Sequence, residues 1–302
     1  MNIIYIGKHG NTRRSNDDEG AITYALEELG HEVHCVQEGA PILTPTSRRT
    51  SLILFNHWAD PSPLQDLRAA KACWCFDLID YPKDATLESR NRRRSNWAQR
   101  AVEASDIAFF TDGDWVAADT TGKVHHLSQG CDQTALPCAP KEGRHPPLLL
   151  TGISAGGGRG RESFTNDLTA RYREQLLHIR SGVHGRPLAQ TIAGSTIVIA
   201  PDSPLTDRYW SNRVYLTLGL GGFLLHPFSE GLAREYVEGK ELVFYRGRED
   251  LYRLIDYYLD PSHSEEREAI RSAGYIRTHT SYTYRHRCEK LIALVRERLG
   301  VL

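Results

Sequence analysis

The sequence predicts an α/β protein made of two doubly wound, Rossmann-like domains that face each other across a cleft. Short apolar runs of strand length alternate with amphipathic helical segments along the chain, a pattern typical of mainly parallel sheets covered by helices. The chain has 302 residues, which is about twice the length of a typical domain. A proline-containing polar stretch interrupts the alternation near the middle, so we expect each half to fold around its own sheet.

The first half opens with a strand, a helix and a second strand. The apolar run from Ile3 to Ile6 has no helical period, and Gly7 ends it. Apolar residues from Ala21 to Leu29 recur with helical spacing. Further segments continue the alternation. We predict strands at 32–36, 51–56, 72–77 and 106–111, helices at 63–71 and 88–104, and a hairpin around 113–127.

The domain boundary is predicted where Pro137, Pro140, Pro146 and Pro147 cluster in a polar stretch. The domains then cover 1–143 and 144–302, with the terminal helix able to pack back on the first domain. The second domain repeats the alternation. We predict strands at 148–152, 195–200, 222–226 and 241–245, and helices at 161–179, 212–220, 231–237, 247–259, 263–278 and 282–299.

Composition excludes several classes of protein. The formal net charge of −1 argues against a general binder of polyanions. No stretch approaches the roughly 18 apolar residues that a membrane span needs, and the N-terminus lacks the pattern of a signal peptide, so we expect a cytoplasmic protein. The six cysteines include no Cys-x-x-Cys pair, which favours reduced thiols over a zinc site.

Ligands of open parallel sheets bind beyond the carboxyl ends of the strands, which selects the residues that follow each predicted strand. In the first domain His9, His57 and Asp77 hold such positions. A histidine or a buried carboxylate there is a candidate catalytic base for a hydroxyl group, with a structural hydrogen-bonding role as the alternative. Asp112 and Asp114 flank Gly113, a pattern that suits either a metal site or a turn.

Two segments of the second domain are candidate phosphate sites. The Gly-rich stretch that contains Gly152 and Ser154 precedes a helix, where bare backbone amides favour phosphate; a flexible surface loop is the alternative. Asn212 and Arg213 lie at another predicted helix start, which suits a diphosphate.

A third segment follows the strand at 222–226. The amides of Ser229, Glu230 and Gly231 are predicted to contact a phosphate or a sugar. Glu235 lies one predicted turn into the next helix, where it either lines the same site or offsets the helix dipole.

The strongest local positive charge runs from Arg90 to Arg100. Arg92, Arg93 and Arg94 are candidate contacts to a nucleic-acid backbone, and a solvated helix face is the alternative. Residues 1–145 contain 16 Lys and Arg against 20 Asp and Glu, a net charge of −4, which weighs against a large basic surface.

The C-terminal part of the chain resembles the nucleotide-sugar domain of glycosyltransferases with the GT-B fold. The resemblance is closest to the family-one-like group that includes spore-maturation proteins and many phage enzymes. It covers about a third of the chain, and the first half resembles the other GT-B domain only through YIGKHG and EELGHEV. The motifs that carry it are SNRVYLTLGLGGFLLHPFSEGLAREYVEGKELVFYRGREDLYRLIDYYLDP and AGYIRTHTSYTYRHRCEKLI.

The resemblance implies a nucleotide-sugar donor, a UDP-sugar above all, held mainly by the second domain. It implies an acceptor in the first domain and no obligatory metal or other cofactor. By position, Asn212 and Arg213 would lie near the donor diphosphate, and Ser229 to Gly231 with Glu235 would line the donor sugar or phosphate. Relatives often carry a glutamate that holds the ribose where this chain has Leu216.

The resemblance leaves several functions open. One is sugar transfer to a hydroxyl acceptor, including the hydroxymethylated bases of phage-type DNA, for which the Arg90–Arg100 run would supply a contact. A small-molecule or glycan acceptor is an alternative. Others are a sugar-nucleotide epimerase or binding protein on the same scaffold, and a metal-dependent transferase that uses Asp112 and Asp114.

Overall fold

The computed structural model describes residues 1–9, 18–42, 50–56, 60–64, 67–79, 88–138, 147–151, 158–179, 182–183, 185–201 and 206–300, without the side chains of 88–91 and 158–162. The chain divides into two compact units. Met1–Gln129 and Tyr284–Leu302 form the first unit, and Gly130–Thr283 forms the second.

The strands are β1 Asn2–Gly7, β2 Glu32–Gln37, β3 Leu52–Asn56, β4 Ala70–Cys75, β5 Ile107–Phe110, β6 Val124–His126, β7 Leu148–Thr151, β8 Leu176–Ile179, β9 Ile197–Ile199, β10 Leu224–Pro227 and β11 Val243–Tyr245. The α-helices are α1 Asp18–Glu28, α2 Glu88–Ala104, α3 Gly113–Ala117, α4 Gly158–Tyr172, α5 Gly185–Gly194, α6 Arg213–Gly219, α7 Glu230–Glu235, α8 Arg248–Leu259, α9 Ser264–Ser281 and α10 Tyr284–Leu299.

The first unit is built on a six-stranded parallel sheet in the order β2-β1-β3-β4-β5-β6. Side chains alternate between the two faces of a strand, so each face has its own core. Tyr5 and Trp74 pack with α1 and α10 on one face. Phe55 and Phe110 pack with α2 on the other face. Helices thus cover both faces, as predicted for a doubly wound sheet.

The second unit is built on a five-stranded parallel sheet in the order β11-β10-β9-β7-β8. Leu150 and Ile199 face a core that includes residues of α4 and α8. Leu149 and Val198 face the opposite side, where they pack with α5. The prediction of two parallel α/β domains is therefore confirmed.

The boundary between the units lies at Gly130 and not in the proline cluster near 143. Cys131 belongs to the second unit because its N–H donates to the Tyr282 carbonyl oxygen at 3.0 Å and its side chain is buried there. Residues after Thr283 return to the first unit. The Tyr284 hydroxyl donates to Asp18 Oδ1 at 2.5 Å, and Leu291 of α10 is fully buried in the same core as Tyr5.

The predicted hairpin at 113–127 is wrong, because these residues form α3 and the parallel strand β6. Asp112 begins α3 as its N-cap, with its side chain accepting hydrogen bonds from the Asp114 and Trp115 N–H groups. Asp119 then accepts from the Gly122 N–H in the turn that leads to β6. A short polar segment with glycine suits a hairpin equally well, so the local sequence did not distinguish the two.

The predicted helix at 161–179 ends too late. Arg173 adopts a φ of 44°, which interrupts the helix, and residues 176–179 form β8 beside β7. The predicted short helix at 63–71 is also wrong in extent. Among the described residues of this stretch, a 3₁₀ turn covers Ser62–Leu64 and β4 already begins at Ala70. Across the residues described above, no helix has the length and apolar character needed to cross a bilayer.

Candidate functional site

Polar residues gather where β1, β3 and β4 of the first unit end side by side. His9 comes two residues after β1, Asn56 is the last residue of β3, and Asp77 comes two residues after β4. Neighbouring strands lie about 4.8 Å apart, so this edge brings together residues that are distant in sequence. His9 and Asp77 therefore share one edge of the sheet, whereas His57 lies outside the described residues.

Glu19 belongs to this edge, although the sequence did not single it out. Its Oε1 accepts hydrogen bonds from Asn56 Nδ2 at 2.8 Å and from the Lys8 N–H at 3.3 Å. Gly7 leaves the room that Glu19 needs, because a Cβ there would come within 2.9 Å of Glu19 Cγ. The one signal in the sequence is an acidic residue in the first turn of α1, which is also typical of ordinary helix-dipole compensation.

Asn56 adds a second polar atom to this edge. The residue is only 6% exposed, and its Oδ1 has no hydrogen-bond partner among the described residues. A buried acceptor without a donor is costly, so it marks a position where a donor group would be stabilising.

His9 is held by the protein and is poorly suited to act as a base. Its Nε2 donates to the Tyr5 carbonyl oxygen at 2.9 Å. Burial opposes protonation, but the Cys35 side chain, the Tyr5 carbonyl and Glu19 favour it, so the pKa of His9 is raised. A general base must be neutral before it takes a proton, and a raised pKa lowers the neutral fraction.

Asp77 is half-buried at the end of β4. Its backbone carbonyl oxygen accepts a hydrogen bond from the Cys75 thiol at 3.7 Å, a contact that does not involve the carboxylate. Three candidate bases are named from the sequence. Asp77 is the carboxylate among them, and it lies at this edge of the sheet.

Asp112 is a structural residue and not a metal ligand of an Asp-Gly-Asp pair. The side chain is 1% exposed, and its two oxygens accept backbone hydrogen bonds. Oδ1 accepts from Asp114 N and Trp115 N at 3.1 Å each, and Oδ2 accepts from Ile79 N at 2.9 Å. These donors occupy the carboxylate that a cation would need. No cluster of three potential metal ligands occurs among the described residues.

The basic run lies on α2, where its three arginines differ. Arg92 and Arg93 are exposed, and the Arg93 guanidinium lies 5.7 Å from the ring centroid of Trp97, which is 39% exposed. Arg94 instead donates from Nη1 to the Leu78 carbonyl oxygen at 2.6 Å. Arg92, Arg93 and Trp97 thus lie on the exposed face of this helix, and Arg94 is tied to the loop after β4.

In the second unit, β7, β9 and β10 end at the edge where a donor is predicted. Thr151 ends β7, and its buried hydroxyl has no partner among the described residues. Gly152 and Ser154 follow directly and lie outside those residues. Arg213 is the first residue of α6 and is half-buried.

Asn212 is the N-cap of α6, but its side chain makes no capping hydrogen bond. Its carbonyl oxygen accepts from the Leu216 N–H at 2.8 Å. Leu216 packs partly buried against an apolar cluster that includes Leu188 and Ile192. The position where the resemblance anticipates a ribose-binding glutamate is therefore an apolar core contact in this chain.

The start of α7 is engaged by the protein itself, which differs from the predicted phosphate contact. Asp207 Oδ1 accepts from the Glu230 N–H at 3.2 Å, and the Asp207 carbonyl accepts from the Gly231 N–H at 3.0 Å. Ser229 is fully buried and donates from Oγ to the Thr206 carbonyl at 3.2 Å. A Cβ on Gly231 would come within 2.2 Å of the Asp207 carbonyl oxygen, so this glycine serves close packing.

Glu235 is the last residue of α7 and not a first-turn acid, so the predicted dipole compensation is wrong. Its Oε2 accepts from the Tyr215 hydroxyl at 2.5 Å, and Tyr215 in turn accepts from Trp210 Nε1 at 2.8 Å. The Glu235 carbonyl accepts from Arg277 Nε at 3.1 Å and from the Tyr282 hydroxyl at 2.9 Å. Residues of α6 and of the α9 end therefore fix the position of Glu235.

Comparison with known proteins agrees with this architecture. Residues 149–293 match the family described as glycosyl transferase-like, over just under half of the chain. The fold is similar to that of sucrose-phosphate synthase from Thermosynechococcus elongatus, with a TM-score of 0.69 at 10% identity over 100% of both chains. Residues 149–293 therefore carry a glycosyl transferase-like domain, and the whole chain has the GT-B fold.

Two further structures have a similar fold. HepE from Anabaena, in complex with UDP and glucose, has a TM-score of 0.62 at 10% identity, covering 98% of this chain and 100% of that one. An alpha-glucosyltransferase in complex with UDP and a 13-mer DNA containing an HMU base has a TM-score of 0.61 at 10% identity, covering 98% and 99%. No curated protein sequence matches the chain. The GT-B resemblance found in the sequence is confirmed.

Proposed function

We propose that this protein is a glycosyltransferase that moves a hexose from a UDP-sugar to a hydroxymethylated base in DNA. The observation that carries the proposal is its structural similarity, over nearly the whole chain, to an alpha-glucosyltransferase in complex with UDP and DNA containing an HMU base. A phage origin, with action in the host cytoplasm, is the setting that fits such an activity.

The donor diphosphate is assigned to the carboxyl edge of the second sheet. Arg213 at the start of α6 is the cation that we assign to it, and an arginine pairs with phosphate oxygens through two parallel hydrogen bonds. The same charge would stabilise the departing UDP, which is the main electrostatic requirement of the reaction. We assign Asn212, Gly152 and Ser154 to the same donor site.

The sugar is assigned to the end of β10. The Glu230 side chain is largely exposed, with Arg234 3.5 Å away, and its carboxylate would accept hydrogen bonds from sugar hydroxyls. The turn that Asp207 holds would form its wall at Gly231, the fully buried Ser229 would support that turn from within the protein, and Glu235 would keep α7 in place. The backbone amides of Glu230 and Gly231 already donate to Asp207, so this assignment does not rely on them as ligands of the sugar.

The acceptor is assigned to the first unit. Arg92 and Arg93 supply exposed positive charge for DNA phosphates, and Trp97 supplies an aromatic face beside them. Asp77 is the proposed base for the acceptor hydroxyl, because His9 is held by Tyr5 and has a raised pKa.

The decisive experiment is a transfer assay with radiolabelled UDP-glucose and two DNA duplexes that differ only in one hydroxymethyl group on a pyrimidine. We expect label in the hydroxymethylated duplex alone. Asp77→Asn should lower kcat by about 10²- to 10⁴-fold while leaving the affinity for UDP unchanged. Full activity is expected in the presence of a chelator, and its loss would favour the metal-dependent alternative.

A thermal-shift panel of UDP-, GDP-, ADP- and CMP-sugars tests the donor separately, because a ligand that binds only the native state raises its Tm. A shift with UDP-sugars but no label in either duplex would overturn the DNA acceptor and keep the donor. Small-molecule and glycan acceptors would then be assayed. Epimerised or hydrolysed sugar without transfer would overturn the transferase reaction as proposed.

A further inference from the structure

A cavity of about 500 Å³ lies within the second unit, and none of the residues assigned above lines it. One wall comes from α9 and another from the turn between α6 and β10. Its lining residues are Pro137, Cys138, Ala193, Leu220, Gly221, Arg271, Ser272, Tyr275 and Ile276. Cavities of 300–1,000 Å³ are of the size that holds small organic ligands.

The cavity lies at the amino-terminal edge of the sheet. Arg271 Nη2 donates to the carbonyl oxygens of Ser195 at 3.0 Å and Thr196 at 3.2 Å, and these two residues immediately precede β9. Leu220 and Gly221 likewise precede β10. The donor is assigned to the opposite, carboxyl-terminal edge, so the proposed reaction leaves this cavity unused.

Its walls are fixed by contacts within the protein. His279 Nε2 donates to the Gly219 carbonyl oxygen at 2.9 Å, which ties α9 to the end of α6. Gly221 adopts a φ of 76°, and a Cβ there would lie 3.1 Å from Pro137 Cγ. A left-handed glycine packed against a proline gives this turn one defined shape. The cavity is therefore formed before any ligand binds.

Arg271 supplies a cation to an otherwise mostly apolar lining. Its side chain is only 18% exposed, and its Nε lies 3.5 Å from Glu268 Oε2, an ion pair without a hydrogen bond. The hydrogen bonds that Arg271 makes within the described part of the chain all use Nη2. The N–H groups of Nη1 thus remain to donate to a ligand.

We propose that this cavity binds an apolar small molecule that carries one carboxylate. The ring or chain of the ligand would pack on Leu220, Pro137 and Ile276. Ile276 is 59% exposed, so a ligand would remove apolar surface from water there. The carboxylate would accept from Arg271 Nη1, a charge-assisted hydrogen bond in a mostly apolar setting. A neutral ligand of the same shape would lose that bond.

The test compares 2-naphthoate with the neutral 2-naphthylmethanol by calorimetric titration and thermal shift of the full chain. We expect naphthoate to raise the Tm and to bind about tenfold more tightly than the alcohol. Ser272→Trp, at an exposed position on the rim, should fill the cavity and abolish binding. Thr280→Trp, also exposed on α9 but not part of the lining, is the matched control and should bind as the wild type does.

Equal binding of naphthoate to Ser272→Trp, or no binding by the wild type, would overturn the cavity as its site. Equal affinity for acid and alcohol would overturn the role of Arg271. Displacement of naphthoate by UDP would assign it to the donor site instead. None of these measurements uses sugar transfer, so they stand apart from the test of the acceptor.

Discussion

A carboxylate and a buried amide meet at the end of β1 because one residue there has no side chain. Gly7 allows Glu19 to lie beside Asn56, and Glu19 Oε1 accepts from both Asn56 and the Lys8 N–H. The Asn56 Oδ1 is left without a donor among the described residues. Polar groups held in this way at the mouth of a parallel sheet are suited to hold a ligand hydroxyl.

The contribution of Glu19 can be measured by its removal. Glu19→Ala leaves two donors without their acceptor, so we expect the free energy of unfolding to fall by about 1–3 kcal/mol. Glu28→Ala, at an exposed position of the same helix, should change it by less than about 0.5 kcal/mol. Urea unfolding of both variants provides the comparison. Equal effects would mean that Glu19 acts only through helix propensity.

A second residue-scale prediction concerns His126 at the end of β6. Burial and the nearby Lys290 charge lower the pKa of His126, since both disfavour the protonated ring. A folded-state pKa below the unfolded value of about 6.5 gives a stability contribution that is present above that pH. The contribution is lost as the pH falls through the folded-state pKa.

We therefore expect the stability of the wild type to fall more steeply below about pH 6.5 than that of His126→Asn. Urea unfolding at a series of pH values measures the slope, which separates titration from any hydrogen bond lost at every pH. His34→Asn, at an exposed position on β2, is the control. A slope unchanged by His126→Asn would contradict the assignment.

At the scale of elements, the long helices α8, α9 and α10 and most of the strands could be predicted from their periodic apolar pattern. Segments governed by one contact could not. The side chain of Asp112 decides between α3 and a hairpin, and the backbone of Arg173 ends the helix before β8. Both depend on geometry that a short polar sequence does not specify.

The same limit applies to the candidate site. The helix-start pattern placed Arg213 at the beginning of a helix, and it is the first residue of α6. The sheet-edge rule selected Asp77, which lies two residues after β4. It could not show that Asp207 engages the amides of Glu230 and Gly231, because this contact joins segments more than twenty residues apart. For the same reason Glu19, which reaches β3 from α1, did not stand out in the sequence.

An element-scale prediction follows for α2. Removing Arg92 and Arg93 together should weaken DNA binding about tenfold and reduce the slope of log K against log salt by about 2, since each phosphate contact contributes about 0.9. Fluorescence anisotropy with a labelled duplex at several salt concentrations measures both quantities. Arg298→Ala, whose side chain is 56% exposed on α10, is the control. An unchanged slope would remove α2 from the DNA surface.

At the scale of the whole molecule, the two units have similar sheets but differ in how the chain builds them. The first unit is discontinuous, because α10 returns to it after the second unit is complete. Cys288, Leu291, Ile292 and Val295 of α10 are buried in the core that contains Tyr5 and Trp74. The second unit, in contrast, is one uninterrupted segment with its own sheet and cores.

This difference predicts unequal behaviour of two fragments. Gly130–Thr283 should unfold cooperatively by itself and retain a Tm shift with UDP, since the donor is assigned to it. Met1–Gln129 should not fold, because four side chains of α10 each contribute about 1.5–3 kcal/mol of burial, together comparable to the 5–15 kcal/mol that stabilise a typical domain. A fusion that joins residues 284–300 to the first fragment by a flexible linker should restore its cooperative unfolding. Cooperative melting of Met1–Gln129 without α10 would contradict this prediction. It would mean that α10 covers a core that α1 and α2 already stabilise.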